Sequence, residues 1–309
     1  MDSVVGLLAL CRVRDVSWYF VARQAQRPGG LDELLAGRTT EKSDEARQGL
    51  AALSAAEAEI PAHREWAGEL LRDMADRGIR LTTVLDDDYP ANLRTIFNLP
   101  PFLFYRGHLL EGDARSVAVV GTRQASMEGI EQAQRLVRQL VEAGVTVLSG
   151  LARGIDTAAH ESCLASGGRT VAVVGTGILR TYPPENAELA DRIAETGAVV
   201  SQFWPDTPPT SYSFPRRNIT MSGMAQGTVV IEASATSGAK LQARRALEHG
   251  RRLFLPAELV RQREWAQRYV QRPGAIEVKS VDDIVSLLQS PESIQVRSEG
   301  RRQLTLTLT

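Results

Sequence analysis

The sequence predicts an α/β protein centred on a doubly wound, largely parallel sheet and preceded by a small helical domain. Three observations carry this. Between residues 116 and 256, short apolar runs alternate with helical patterns, as parallel strands and crossover helices do. Two of those runs, 116–120 and 145–148, pass straight into small-residue turns holding Arg123 and Arg153. The first 80 residues instead place apolar residues at helical spacing.

In chain order, Leu7, Leu8, Leu10, Val16, Trp18 and Val21 mark one apolar face of the N-terminal domain, 1–80. Leu31, Leu34 and Leu35 follow a Pro-Gly-Gly break, and 41–78 has a helical period. A packing or dimerisation module is the expectation for this domain. Residues 82–85 read as a short strand, and Asp86, Asp87 and Asp88 as a solvated turn rather than a metal site. Pro100-Pro101 precedes a β-type run at 102–105. Strands are then expected at 116–120, 145–148, 170–174, 198–201, 228–232 and 252–255. Helices at 127–143, 156–165, 185–195 and 239–249 separate them, with one more opening at Phe214. Past Pro256, 261–271 reads as a charged helix and 276–288 as a short strand and closing helix. The sheet domain spans 81–289. Residues 290–309 read as a polar, mobile tail, although Leu304 to Leu308 alternates like a strand.

A chain of 309 residues can bury a substantial core. Its net charge of -1 excludes a generally basic coat but leaves room for a local basic groove. Cys11 and Cys163 are far apart and form no metal or redox spacing. No run has the apolar length of a membrane span, and Asp2 stands where a secretory leader needs positive charge. A cytoplasmic protein without a membrane segment is the expectation.

The chemistry gathers at the carboxyl ends of the strands, the edge where open α/β sheets bind ligands. The turn at Gly121-Thr122-Arg123 lacks both the dinucleotide glycine spacing and the P-loop lysine. It feeds a helix start with Ser126 as cap, where amides and the helix dipole favour an anion and Arg123 adds a phosphate-binding fork. Ser149-Gly150 and Arg153-Gly154 bracket a turn open to close backbone approach. Asp156 sits at the following helix start, where it can cap free amides, and His160 lies one helical turn on, within reach of it. Arg216, Arg217 and Asn218 follow Phe214-Pro215, and Lys240 follows Ser237-Gly238 at another helix start. Together these cations can form a track for a nucleic-acid backbone. The four histidines form no catalytic triad or metal set, and Glu232 reads as a loop stabiliser. No enzyme activity, cofactor or metal is expected.

At these motifs the chain resembles the DprA/Smf family of DNA-processing proteins. The matching residues are Val119 to Arg123, Ser149 to Asp156 with Ala158-Ala159-His160, Tyr182 to Asn186, Phe214 to Asn218, and Glu232-Ala233 with Ser237-Gly238. Asp88-Tyr89-Pro90, Leu93, Pro100-Pro101 and Tyr105-Arg106-Gly107 match upstream of them. The resemblance covers about 80 to 256 and implies an extended Rossmann-like sheet. It also implies a homodimer, single-stranded DNA held in a basic pocket, and delivery of incoming DNA to the RecA recombinase in natural transformation. Arg123 looks like the family's DNA-contacting arginine, with Arg153, Arg216, Arg217 and Asn218 in the same pocket. The chain departs from the usual family pattern at Ile219, where an arginine is expected, and at Gln242 and Ala257. A nucleotide-binding sensor or nucleotide hydrolase on the same fold is the alternative, and a ligand-free interaction scaffold is a third reading.

Overall fold

The computed structural model describes the backbone of residues 2–307 and the side chains of 2–300. Nine strands form one sheet: β1 (Arg80–Thr83), β2 (Phe102–Gly107), β3 (Ser116–Val120), β4 (Thr146–Ser149), β5 (Thr170–Val173), β6 (Ala198–Ser201), β7 (Gly227–Val230), β8 (Arg252–Pro256) and β9 (Ala275–Val278). Their order is β1-β2-β6-β5-β4-β3-β7-β8-β9. The stretch from β6 to β9 is parallel throughout, and β2 and β1 extend its edge antiparallel. The doubly wound sheet is as the sequence predicts. The chain winds outward from β3 to β6, then returns to lay β7 against the other side of β3. The β3–β7 junction is therefore the topological switch point.

Both faces of the sheet are covered, so its parallel strands are apolar without interruption. Successive side chains alternate faces. Val117 and Val119 enter one core, with residues of α6 (Met127–Glu142) and α7 (Ile155–Ala165). Ala118 and Val120 enter the other. There they meet α8 (Ala187–Thr196), α9 (Ser213–Met224) and α10 (Gly238–Glu248), and also α11 (Ala257–Gln262) and α12 (Glu264–Val270). The short α13 (Asp282–Val285) closes the first core through Ile284.

The N-terminal segment is helical, with α1 (Asp2–Arg12), α2 (Trp18–Ala25), α3 (Gly30–Leu35), α4 (Asp44–Ala55) and α5 (Ile60–Asp76). Its apolar face is continuous with the second core of the sheet. The join is aromatic: Trp204, after β6, lies 5.2 Å from Trp18, 5.0 Å from Trp66 and 4.7 Å from Phe102, centroid to centroid. Trp204→Ala is expected to cost roughly 2 kcal/mol, less than a fully buried tryptophan because the ring is half-buried. Urea denaturation measures the loss, and limited proteolysis should cut the N-terminal helices sooner.

Some elements differ from the sequence expectation. β1 ends at Thr83 because Asp86 accepts hydrogen bonds from the Thr83 amide (2.8 Å) and hydroxyl (2.7 Å), turning the chain. Asp88 accepts from the Thr82 hydroxyl at 2.6 Å. Among the described residues, no cluster of three or more histidines, cysteines or carboxylates can hold a metal ion, and no helix is long and apolar enough to cross a membrane. The segment read as a tail instead forms α14 (Pro291–Thr307), which buries Ile294 and Ser298. Strand-like alternation at 304–308 thus falls on helical backbone as far as Thr307, and Leu308 lies outside the described residues.

Candidate functional site

A groove of about 700 Å³ opens at the carboxyl ends of β3, β4 and β7, beside the switch point. Its walls are the turns after β3 and β4, the start of α9, and the loop leading into α10. Close backbone packing sets its shape. A Cβ on Gly121 would lie 2.3 Å from Ile155 Cγ1. Gly154 has φ +74°, and a Cβ there would lie 2.4 Å from the Thr122 carbonyl oxygen. The Thr122 amide donates to the Glu232 carbonyl at 2.7 Å, tying the β3 turn to β7. Ser149 is buried and donates to the Val119 carbonyl at 2.7 Å.

The next layer is a buried charge pair. Arg217 is 6% exposed and Asp156 5%. Arg217 Nη1 donates to the Val173 carbonyl at 2.8 Å, and its guanidinium lies so close to Gly150 that a Cβ there would overlap it. Asp156 accepts from the Gly150 amide at 3.1 Å and the Ala152 amide at 3.4 Å, holding the loop that launches Arg153. Burial raises the Asp156 pKa, opposed by Arg217 and the two amides. Burial lowers that of Arg217, with Asp156 opposing and Arg123 adding to the shift.

The outer cations, Arg123 and Arg153, are exposed and line the groove. Arg123 is exposed, with no carboxylate partner among the described residues, and its guanidinium carbon sits 5.2 Å over the Phe214 ring. Phe214 lies 5.7 Å from Tyr182, and both rings line a narrow recess with Arg123, Gly150 and Arg153. Arg153 forms an exposed ion pair with Glu185, which raises the arginine pKa and lowers the carboxylate's.

Gly121, Thr122, Arg123, Arg153, Arg217 and Asn218 therefore meet on one groove, and Gly150 lines the adjoining recess. Ser149 and Gly154 shape the loops from behind. Arg216 and Lys240 do not line the groove. Arg216 stacks over Trp18 at 5.3 Å and Phe203 at 5.9 Å, and Lys240 Nζ donates to the Ala235 carbonyl at 3.0 Å. Ile219 is buried and off the groove, so that departure removes no cation from the lining. Gln242, in contrast, lines it. The aromatic pair Phe214 and Tyr182 was not singled out from the sequence, although each lies inside a quoted motif beside arginines or prolines.

Two expectations about individual groups change. The α6 start is capped by Ser126, as expected, with the Gly129 amide 3.0 Å from its hydroxyl. An internal anion is already there: Glu232 accepts from both the amide and the hydroxyl of Ser126 at 3.0 Å. His160 does not pair with Asp156. Its Nδ1 is 2.7 Å from the Thr170 hydroxyl, and burial lowers its pKa to about 3, so the ring is neutral.

Comparison with known proteins places this chain in a family. Residues 80–289 match the model for DNA recombination-mediator protein A. The DNA processing protein DprA of Streptococcus pneumoniae is 37% identical over 205 residues, covering 66% of this chain and 72% of that protein. Protein Smf of Escherichia coli is 39% identical over 203 residues, but those span only 54% of its length. The solved S. pneumoniae DprA superposes with a TM-score of 0.73 at 29% identity, covering 91% of this chain and 96% of that one. A Helicobacter pylori DNA processing protein A, described for its single-stranded DNA binding mode, shares the fold with a TM-score of 0.59 at 22% identity, covering 67% of this chain and 94% of that one. Since the matched segment holds every strand of the sheet and all the loops of the groove, the chain belongs to the DprA/Smf family of DNA recombination mediators.

Proposed function

We propose that the chain binds single-stranded DNA along the carboxyl edge of its sheet as a non-enzymatic mediator. In the fuller role implied by the family resemblance, a homodimer protects incoming strands and loads RecA onto them in natural transformation. One observation supports strand binding above the rest: the exposed Arg123 over Phe214, with Tyr182 and Arg153 on the same recess. A single strand offers phosphates to the arginines and unpaired bases to the rings, and neither contact needs a particular sequence.

Arg123→Ala is expected to weaken oligothymidylate binding roughly tenfold to a hundredfold, the range for a hydrogen-bonded charge. Its salt dependence should flatten by about 0.7 in the log–log slope, the contribution of one phosphate contact on a single strand. Phe214→Ala should weaken binding by about 1–3 kcal/mol with the slope unchanged, because stacking releases no counterions. Fluorescence anisotropy across a salt series reads both effects. Wild-type affinity in Arg123→Ala would sink this placement of the strand.

A further inference from the structure

Three of the chain's four tryptophans meet where the N-terminal helices join the sheet. Trp204 lies between Trp66 of α5, at 5.0 Å, and Trp18 of α2, at 5.2 Å. All three are half-buried, so each keeps part of its surface in solvent. The Trp18 indole N–H donates to the Cys11 carbonyl at 2.6 Å, which fixes that ring.

An arginine lies over each end of this row. The Arg12 guanidinium carbon sits 4.1 Å from the Trp66 centroid, and that of Arg216 sits 5.3 Å from Trp18 and 5.9 Å from Phe203. Neither arginine has an ion-pair partner among the described residues. A cation–π contact holds a guanidinium without neutralising it, so charge and donors remain for an outside anion. The exposed Asp206, two residues past Trp204, is engaged by Arg180 at 3.9 Å. Arg216 belongs to the first turn of α9, which also carries Phe214 of the recess. Tyr212, one helical turn before Arg216, is 81% exposed and shares its side of the helix, opposite Phe214. The start of α9 therefore has the recess on one side and the aromatic joint on the other.

We propose that single-stranded DNA continues from the recess over the start of α9 and along this joint, where Arg216 and Arg12 take its phosphates. The inference rests on the strand-binding reading and extends it to the N-terminal helices. Along the path, Tyr212, Arg216, Trp18, Trp204, Trp66 and Arg12 combine aromatic surface with positive charge, as binding a strand of any sequence requires. The two arginines stand at opposite ends of a row of three indoles. A small anion cannot span that row, whereas a polymer with a charge on every nucleotide can.

The test is anisotropy of the full chain with oligothymidylates of about 4 and about 16 nucleotides, the two ends of the range for one binding fold. Arg12→Ala should weaken the longer strand roughly tenfold, flatten its log–log salt slope by about 0.7 and leave the shorter strand unchanged. Arg12 is exposed, so the thermal midpoint should hold. Arg12→Lys keeps the charge and should restore the slope. Wild-type tryptophan fluorescence should change with the longer strand and not with the shorter. Wild-type affinity of Arg12→Ala for the longer strand overturns the track. An equal loss at both lengths also overturns it, because Arg12 would then act through the fold. A loss confined to Arg123→Ala keeps the recess and removes the track. A loss in Arg12→Ala with none in Arg123→Ala keeps the track and removes the placement of the strand at the recess.

Discussion

Replacing Asp156 with alanine is expected to lower the unfolding free energy by about 3 kcal/mol, the lower end for removing one partner of a buried charge pair. The lower end applies because the carboxylate stabilises Arg217 by charge, while its hydrogen bonds go to the Gly150 and Ala152 amides. Alanine leaves the guanidinium buried with the Val173 carbonyl as its hydrogen-bond partner and the like-charged Arg123 acting on it, and it orphans both amides. Asp156→Asn separates the two causes, because an amide oxygen can still accept from the loop while the charge is gone. Because burial raises the Asp156 pKa, losing the charge alone is not costly, so Asp156→Asn is expected to stand close to wild type in urea and the alanine variant well below both. An alanine variant within about 0.5 kcal/mol of wild type would contradict the argument, since that is the ordinary range for inert surface changes. Because the same loop launches Arg153, strand affinity should fall in the alanine variant even where the protein remains folded.

The sheet was legible in the sequence because its strands are buried on both faces and read as apolar runs. Ser116 to Val120 matches the expected bounds, while the β4 and β7 bounds move by only one or two residues. The convergence of Arg123, Arg153, Arg217 and Asn218 was legible for the same reason, since strand order fixes which turns share an edge. Side-chain direction was not. Arg216 and Arg217 are adjacent on α9, yet one stacks on Trp18 and the other is buried under the groove, as the helical rotation between neighbours requires. Long-range partners were equally hidden. Trp204 reaches Trp18 and Trp66 across more than a hundred residues, Glu232 reaches back to Ser126, and Trp265 braces Ala233 through its indole N–H at 3.1 Å. Such contacts leave no local periodicity. The C-terminal helix was missed because its polar composition resembles a tail, and only a few of its side chains, such as Ile294, enter a core.

Acidification is expected to destabilise this chain through two histidines, the buried His160 and the half-buried His249. Burial and then the positive Arg217 lower the His160 pKa to about 3. Burial and then Arg251 and Arg245 lower that of His249 to about 4, with Glu248 opposing. His249 is held neutral between the Ser222 hydroxyl (3.0 Å) and the Asn98 side-chain oxygen (2.9 Å). An unfolded histidine titrates near 6.5, so between that value and the lowered one the unfolded chain binds more protons than the folded one. Stability is therefore complete above about pH 6.5 and is lost progressively toward pH 4 and below. At about 1.4 kcal/mol per tenfold change in proton affinity, the two rings together remove on the order of 5 kcal/mol by pH 4. Asp156 works the other way in its own window. Its raised pKa means the folded state holds that proton more tightly just above the ordinary aspartate range, which returns a little stability on acidification. The test is the slope of unfolding free energy against pH in wild type and His160→Gln. Glutamine takes up no proton at any of these pH values, so the variant starts lower at pH 7 from imperfect packing but loses less between pH 6.5 and 4. Parallel slopes for the two proteins would exclude His160 as a cause of acid lability.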